Sequence, residues 1–161
     1  MIIRVNTDIY KTWMDNFKNY LPEEACGFIY GFWDEGDIIV SSFVWVPNVA
    51  DDPEQSFLMD PLDIMRLLED PAPESGAFIS RHPKKSSIIG MFHSHPGPPV
   101  PSREDLNGIL LWPQLATYWI VSCPSGREPD IAVYAVPNLL TGALTGEPLC
   151  TIPLSFDSEQ V

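Results

Sequence analysis

The amino-acid sequence predicts an α/β (α+β) fold with a single mixed β-sheet flanked by helices. Two observations carry this prediction. Short apolar segments bounded by Gly, Pro and Asp indicate buried strands, while other segments place their apolar residues at helical spacing. Strands joined by tight turns are interleaved with helices along the chain, which favours a mixed sheet packed against helices.

The N-terminal half predicts two helices and three strands. Asn6 or Thr7 can cap the first helix, and Pro22 ends that region. An Asp-Glu-Gly-Asp turn then joins two strands into a hairpin. A second helix opens at Asp60-Pro61, with proline at a tolerated first position. The expected elements are a helix over 7–20, strands over 26–32, 38–46 and 57–59, and a helix from 60 to about 68.

The C-terminal half predicts further strands after a loop over residues 69–87, which contains several Pro, Ser and Gly residues. The tail after Pro137 is rich in Pro, Gly and Thr and is poorly determined by its pattern. We find no repeat or linker, so we expect one domain over residues 1–161. The expected elements are strands over 87–95, 118–123 and 130–136, a helix over 102–111, and an edge strand over 150–154.

The chain is strongly acidic, with 22 acidic and 9 basic residues and a net charge of −13. Such a surface repels phosphate backbones, so we expect no nucleic-acid partner. No apolar run approaches the roughly 20 residues that span a bilayer, and residues 1–6 lack signal-peptide features. We therefore expect a cytoplasmic protein without a membrane partner. Its acidity serves either solubility or a partner with a basic face.

The cysteines predict neither a disulfide framework nor a cysteine zinc knuckle. Cys26, Cys123 and Cys150 are far apart and odd in number, and no Cys-x-x-Cys pair occurs. Reduced, mostly buried thiols in a cytosolic protein are the expectation.

The segment from His93 to Asp105 carries the chemistry. Residues two apart in a strand point to one face, so His93 and His95 suit either a metal site or a solvent-facing strand. Ser102 is a suitable N-cap, and Asp105 three residues later fits a capping box. If the Pro/Gly loop returns the chain toward the strand end, Asp105 can complete a His/His/Asp triad. Three such ligands with an open fourth position are typical of catalytic zinc.

A zinc hydrolase also needs a base that takes a proton from the attacking water. Glu23 and Glu24 both stand just before the apolar strand that begins at Cys26. A carboxylate there lies either at the edge of the core or in solvent on a loop.

Together these residues resemble the JAMM motif of the JAB/MPN/Mov34 metallopeptidases, Glu…His-Ser/Thr-His-Pro…Ser-x-x-Asp. The similarity spans roughly residues 1–136 and is closest to compact stand-alone prokaryotic members. The family's Glu sits two residues before a Cys-Gly pair, which identifies Glu24 rather than Glu23. The matching segments are His93-Ser94-His95-Pro96, Ser102-x-x-Asp105, the strand over 24–31, and Asn48, Phe57 and Asp60-Pro61 between them.

The resemblance implies the MPN/JAB1 architecture, which is cytidine deaminase-like, and one Zn²⁺ per chain. Two spacings depart from the family pattern. His95 and Asp105 are ten residues apart, one fewer than is usual, and the interval from Glu24 to His93 is longer, with the excess around 70–85. The implied site consists of the metal ligands His93, His95 and Asp105, the general base Glu24, the oxyanion donor Ser102, and the supporting residues Ser94 and Pro96.

The family cleaves peptide or isopeptide bonds after the C-terminal tail of ubiquitin or a ubiquitin-like protein. Its members bind that tail as an added strand, with the terminal Gly-Gly in a narrow channel. The resemblance therefore implies a ubiquitin-like partner, or its conjugate or precursor. Deconjugation, maturation, sulfur-carrier processing and an antiphage modification system all fit that chemistry.

Two rival interpretations stay open. A non-catalytic MPN scaffold would use the fold for protein assembly, although such relatives typically lack a metal ligand. A cysteine hydrolase would pair Cys26 with His93 or His95, whereas a small buried strand residue is the simpler role for Cys26. His82 lies in a basic stretch and is expected to be exposed and inert, although the alternative is that this basic cluster contacts an acidic patch on a substrate.

Overall fold

The computed structural model describes residues 1–69 and 86–157. In chain order the elements are β1 (Ile3–Asn6), α1 (Thr7–Asn16), a 3₁₀ turn (Phe17–Asn19), β2 (Cys26–Asp34), β3 (Asp37–Val46), α2 (Pro61–Glu69), β4 (Ser87–His95), α3 (Arg103–Ile109), β5 (Thr117–Ser122), β6 (Asp130–Ala135), α4 (Val136–Thr145) and β7 (Leu154–Asp157).

Within the described residues, the seven strands form one sheet in the order β6-β5-β4-β2-β3-β1-β7. The pairs β2–β3, β2–β4 and β5–β6 are antiparallel, whereas β4–β5, β1–β3 and β1–β7 are parallel. The predicted mixed α/β sheet is therefore confirmed. In the same parts of the chain, no helix is long and apolar enough to cross a membrane.

The two faces of the sheet carry separate core clusters, because alternate residues of each strand point to opposite sides. On one face α1 packs through Trp13, which stacks on Phe43 with ring centroids 4.1 Å apart. The other face is covered by α3 and α4 through Ile109 and Leu139. His93 of β4 lies on this second face, so α3 is the helix that approaches the histidines.

The N-terminal helix is shorter than the sequence predicts. Asn6 caps it, with Oδ1 accepting from the backbone N–H groups of Asp8 at 2.9 Å and Ile9 at 3.1 Å. Regular α-helix ends at Asn16, whose side-chain amide donates to the Thr12 carbonyl at 2.9 Å. A side chain that bonds its own helix backbone competes with further helical turns. The chain then tightens into the 3₁₀ turn.

Several other elements differ from expectation. The sequence analysis missed β1 because so short a strand is fixed by pairing with residues from distant parts of the chain. The segment 57–59 forms only a single bridge, between Met59 and Asn48. The edge strand is β7 rather than 150–154, where Thr151 makes one bridge to Tyr134. Finally, α4 occupies part of the Gly- and Thr-rich tail.

The predicted loop over 69–87 and His82 fall almost entirely outside the described residues.

Candidate metal centre and cleft

Two histidines lie at the end of β4, between β2 and β5. His93 pairs in register with Cys26 of β2 and Ile120 of β5, and its side chain is fully buried. The His95 side chain is 13% exposed. The Nε2 atoms of the two rings are 2.7 Å apart. Strand alternation therefore places two imidazole nitrogens side by side at the C-terminal end of β4.

The N-terminus of α3 brings Asp105 to these histidines. Its Oδ1 lies 3.1 Å from His93 Nε2, and its Oδ2 lies 3.2 Å from His95 Nε2. The capping box is also present, since Asp105 Oδ2 accepts from the Ser102 N–H at 2.7 Å and Ser102 Oγ accepts from the Asp105 N–H at 3.0 Å. The capping role of Asp105 does not exclude a role as metal ligand, because its second oxygen faces His93. The short loop does not keep it away from the histidines.

The chemistry of these donors fits a metal ion. One nitrogen or oxygen from each of His93, His95 and Asp105 can be chosen so that all three lie within 4.8 Å of one another. The His95 Nδ1 lies 3.2 Å from the Pro98 carbonyl oxygen, which accepts a hydrogen bond when Nδ1 carries the proton. That tautomer leaves the Nε2 lone pair free, and a second hydrogen bond of this kind is typical of metal-binding histidines. Two N donors and one carboxylate match a catalytic zinc site.

Burial and neighbouring charges give these donors the protonation states that a bound cation requires. Burial lowers the pKa of His93 despite the opposing hydrogen bond with Asp105. Burial also acts to lower the pKa of His95, but Asp105, the Pro98 carbonyl and Glu24 outweigh it, so the pKa is raised. For Asp105, the hydrogen bonds from the two histidines overcome the effect of burial and hold its pKa below the usual range. Asp105 is therefore ionised and His93 neutral near pH 7.

Glu24 reaches the same cleft from the segment before β2. It is 7% exposed, whereas Glu23 beside it points into solvent. Burial raises the pKa of Glu24 to about 7, with His95 opposing the shift and Asp105 adding to it. A carboxyl group that titrates near neutrality can both accept and return a proton. The structure thus places in the cleft the glutamate that the JAMM resemblance selects.

Ser94 lies between the two histidines but turns toward the other face of β4. Its Oγ accepts from the Ala25 N–H at 2.8 Å, and its own N–H donates to the Ala25 carbonyl at 2.9 Å. These bonds join the strand that carries the histidines to the residue after Glu24. The supporting role expected of Ser94 is consistent with these bonds, which fix the backbone next to Glu24.

His95 and Asp105 open into a cavity of about 670 Å³, within the range of small-molecule sites. Glu24, His95, Ser102 and Asp105 form its polar end, beside Pro96. The remainder is largely apolar and receives side chains from α2, α3, β4 and the segment after β3. Its main apolar lining residues are Phe57, Met59, Ile64, Met91, Ile109 and Trp112. The apolar part of the cavity can receive apolar side chains, whereas the polar end presents the charged and hydroxyl groups.

The environment of Cys26 disfavours a nucleophilic role. Its thiol is fully buried and lies 3.4 Å from the Val46 carbonyl oxygen, to which it donates. Burial raises the pKa of Cys26 to about 12, so the thiolate is scarce at neutral pH. Cys123 is also a buried free thiol, and Cys150 is exposed. These observations favour the structural role for Cys26.

Tyr118 of β5 is a cleft residue that sequence reasoning missed. It is 2% exposed, its ring centroid lies 5.3 Å from that of His93, and it lines the cavity. Burial, the charges of Asp105 and Glu24, and a hydrogen bond with Asp105 hold the pKa of Tyr118 well above its usual value. The phenol therefore stays protonated and can donate to that carboxylate. Nothing in the strand pattern separates Tyr118 from an ordinary core tyrosine.

Comparisons with known proteins identify the family of the chain. The sequence model of the family described as prokaryotic homologs of the JAB domain matches residues 7–135. The chain is 31% identical over 105 residues to a desampylase of Pyrococcus furiosus, a match that covers 65% of this chain and 62% of that protein. It is 32% identical over 107 residues to a desampylase of Haloferax volcanii, with 66% of each covered. The matches thus span slightly less than two thirds of those relatives.

Solved structures share the fold at low sequence identity. A protein from Desulfitobacterium hafniense superposes with a TM-score of 0.66 and 22% identity, covering 98% of this chain and 94% of that one. A JAB1/MPN domain protein from Archaeoglobus fulgidus gives a TM-score of 0.51 and 18% identity, covering 96% and 98%. At these identities the likeness concerns the fold alone.

Proposed function

Because the chain belongs to the family of prokaryotic homologs of the JAB domain, we propose that it is a zinc-dependent peptidase or isopeptidase. Its substrate would be a ubiquitin-like protein, or a conjugate or precursor of one, cleaved after a C-terminal Gly-Gly. Residues 1–161 would form one such domain with one zinc ion, acting in the cytoplasm. The observation that carries the proposal is that His93, His95 and Asp105 form one donor group, and that His95 and Asp105 line the same cavity as Glu24.

His93, His95 and Asp105 would hold the ion. When bound, zinc supplies Lewis acidity that polarises a carbonyl group and lowers the pKa of water to about 7. The neutral ring of His93 and the ionised carboxylate of Asp105 are suited to that role without a further proton loss.

Glu24 would act as general base and then as general acid. Its carboxylate accepts a proton from the attacking water and returns it to the leaving amine as the scissile C–N bond breaks. A pKa of about 7 in the metal-free protein lets one group perform both transfers near neutral pH. A cation at the neighbouring ligands opposes this rise in pKa, because positive charge favours the carboxylate.

Ser102 would stabilise the oxyanion of the tetrahedral intermediate. Its Oγ accepts a hydrogen bond from the Asp105 N–H in the capping box, which leaves the hydroxyl proton free to donate. Ser102 is exposed and lines the cavity next to Asp105. Because the helix start fixes its position, the donor is ordered before substrate arrives.

The substrate class rests on the family resemblance and on relatives that are named desampylases. An extended tail that enters the cavity would place its Gly-Gly at the polar end, where small residues leave room for the reacting groups. The scaffold alternative gains no support, since every metal ligand and the glutamate are present. The deconjugation and maturation routes share this chemistry.

The direct test is cleavage of a ubiquitin-like protein joined through Gly-Gly to a reporter, either in a linear fusion or on a lysine side chain. The expected result is cleavage after Gly-Gly that chelation abolishes and zinc restores. Glu24→Gln should abolish it, while the matched Glu23→Gln and the thiol variant Cys26→Ala should retain it. Chelator-resistant cleavage that Cys26→Ala abolishes would instead establish the cysteine hydrolase. Zinc-loaded protein that cleaves neither substrate would refute the proposal.

A further inference from the structure

The Asn48 side chain, just after β3, hydrogen-bonds two backbone segments that form walls of the cleft. The Asn48 Nδ2 donates to the carbonyl oxygens of Glu24 at 2.9 Å, Ser56 at 2.9 Å and Pro53 at 3.4 Å. Its Oδ1 accepts from the N–H groups of Ala50 and Leu58, both at 3.0 Å. Both donor hydrogens and both acceptor lone pairs of the amide are therefore used.

These partners fix the orientation of the amide. All three groups facing Nδ2 are carbonyls, and both groups facing Oδ1 are N–H donors. A rotated amide would set oxygen against oxygen and nitrogen against nitrogen. Asparagine alone among residues of its size offers both functions in this arrangement, since aspartate at neutral pH only accepts.

The first wall is the segment that carries Glu24. Its carbonyl is bound by Asn48, and its N–H donates to the Pro53 carbonyl at 2.7 Å. The next peptide is held by Ser94, through the two bonds to Ala25. With the peptides on both sides fixed, the Cα–Cβ bond of Glu24 has a fixed direction, which aims the carboxyl group into the cleft.

The second wall is Phe57. Asn48 bonds the residues on both sides of it, at the Ser56 carbonyl and the Leu58 N–H. The Phe57 ring stacks on His93 with centroids 4.6 Å apart and planes 27° from parallel. Asn48 thus holds both the glutamate and the ring that covers a histidine, although it is not among the cavity-lining residues that the structure describes.

We propose that Asn48 is a positioning residue that sets Glu24 and Phe57 at their working distance from the histidines. This inference rests on the proposed function, because it assigns Asn48 a role in the same reaction. Displacing a general base by about 1 Å can cost on the order of 100-fold in rate. Since Asn48 contacts no metal donor, its loss should lower kcat while zinc content and KM are retained.

The test compares Asn48→Ala and Asn48→Asp with the wild type and with Asn19→Asp, a matched change on the exposed 3₁₀ turn. Zinc-loaded protein is assayed well below its melting temperature. We expect both Asn48 variants to lose roughly 10–100-fold in kcat, with KM and zinc content retained and a normal rate for Asn19→Asp. Wild-type kcat in folded Asn48→Ala would overturn the inference, as would a loss explained by missing zinc.

A second readout does not depend on catalysis. In metal-free protein, amide hydrogen exchange at Glu24, Ala50 and Leu58 should accelerate at least about tenfold in Asn48→Ala, while β4 amides keep their protection. Unchanged exchange at these amides would overturn the inference even if activity fell. If the wild type cleaved no substrate, the proposed function would fail, and the exchange result would still decide whether Asn48 orders Glu24.

Discussion

The Asp105 carboxylate lies between a helix cap and two histidines, with Oδ2 2.7 Å from the Ser102 N–H and Oδ1 3.1 Å from His93 Nε2. One side chain therefore stabilises the start of α3 and supplies the anionic member of the donor set. The fold and the site are coupled at this residue, and substitutions can separate the two contributions.

Asp105→Asn should abolish zinc binding with little loss of stability. The amide oxygen can still accept from the Ser102 N–H, but the negative charge at the donor set is lost. Asp105→Ala should also destabilise the metal-free protein by about 1 kcal/mol, the usual value of a cap. Zinc analysis and urea unfolding with chelator present provide the measurements, with Asp8→Asn on α1 as control. Stoichiometric zinc in Asp105→Asn would contradict the ligand assignment.

Ser102→Ala should lower kcat about 10²–10³-fold while zinc remains bound. The variant removes the proposed oxyanion donor and the acceptor for the Asp105 N–H, so about 1 kcal/mol of stability should be lost as well. Ser102→Thr keeps the hydroxyl group and should recover most of the rate. Steady-state kinetics on the three proteins test this. If alanine and threonine behaved alike, the hydroxyl would have no catalytic role.

Metal-free protein should lose stability as pH rises from about 4.5 to 7 because of Glu24. The pKa of this group is 4.5 when unperturbed and about 7 in the fold. The folded state therefore binds more protons in that window, and ionising Glu24 costs stability. The effect should be on the order of 2 kcal/mol, since solvent in the cleft screens part of it.

Glu24→Gln isolates this contribution. Relative to wild type, the variant should gain that stability between pH 4 and pH 8, as measured by urea unfolding in the presence of chelator. A difference between the two proteins that did not change with pH would show that the pKa of Glu24 is not raised.

Tyr118→Phe should weaken zinc binding roughly 10–100-fold without unfolding the protein. The variant removes the buried hydroxyl whose pKa Asp105 helps to raise and keeps the ring beside His93. Competition with a fluorescent chelator gives the zinc Kd, and Tyr10→Phe on the opposite face of the sheet is the matched control. An unchanged Kd would mean that the phenol does not orient the carboxylate.

Sequence patterns sufficed for elements that are specified locally. The strand from Ser87 to His95 follows from its apolar run and the proline after it, and the observed bounds match. The hairpin of β2 and β3 follows from the Asp-Glu-Gly-Asp turn, where Glu35 and Gly36 take positive φ angles of 48° and 90°. The helix cap at Ser102 is equally local.

Other features depend on partners far away in the chain. β1 is four residues long and pairs with β3 and β7, so no local sequence pattern predicts it. The composition of the tail did not predict α4, because Gly and Thr are weak helix formers. The helix ends at Gly146, which has a positive φ of 72°. The bond from Asn48 to the Glu24 carbonyl and the approach of Tyr118 to Asp105 arise only once the sheet is assembled. The roles proposed for the site residues remain predictions.

Zinc content is the most direct test of the central claim. Wild type, His95→Ala and His82→Ala would be purified without chelator, equilibrated with zinc, freed of excess ion and analysed by mass spectrometry. We expect roughly one zinc per chain in wild type and His82→Ala, and loss of the ion with retained folding in His95→Ala. A folded wild-type protein that retained no zinc would contradict the claim, as would His95→Ala binding the ion as well as wild type.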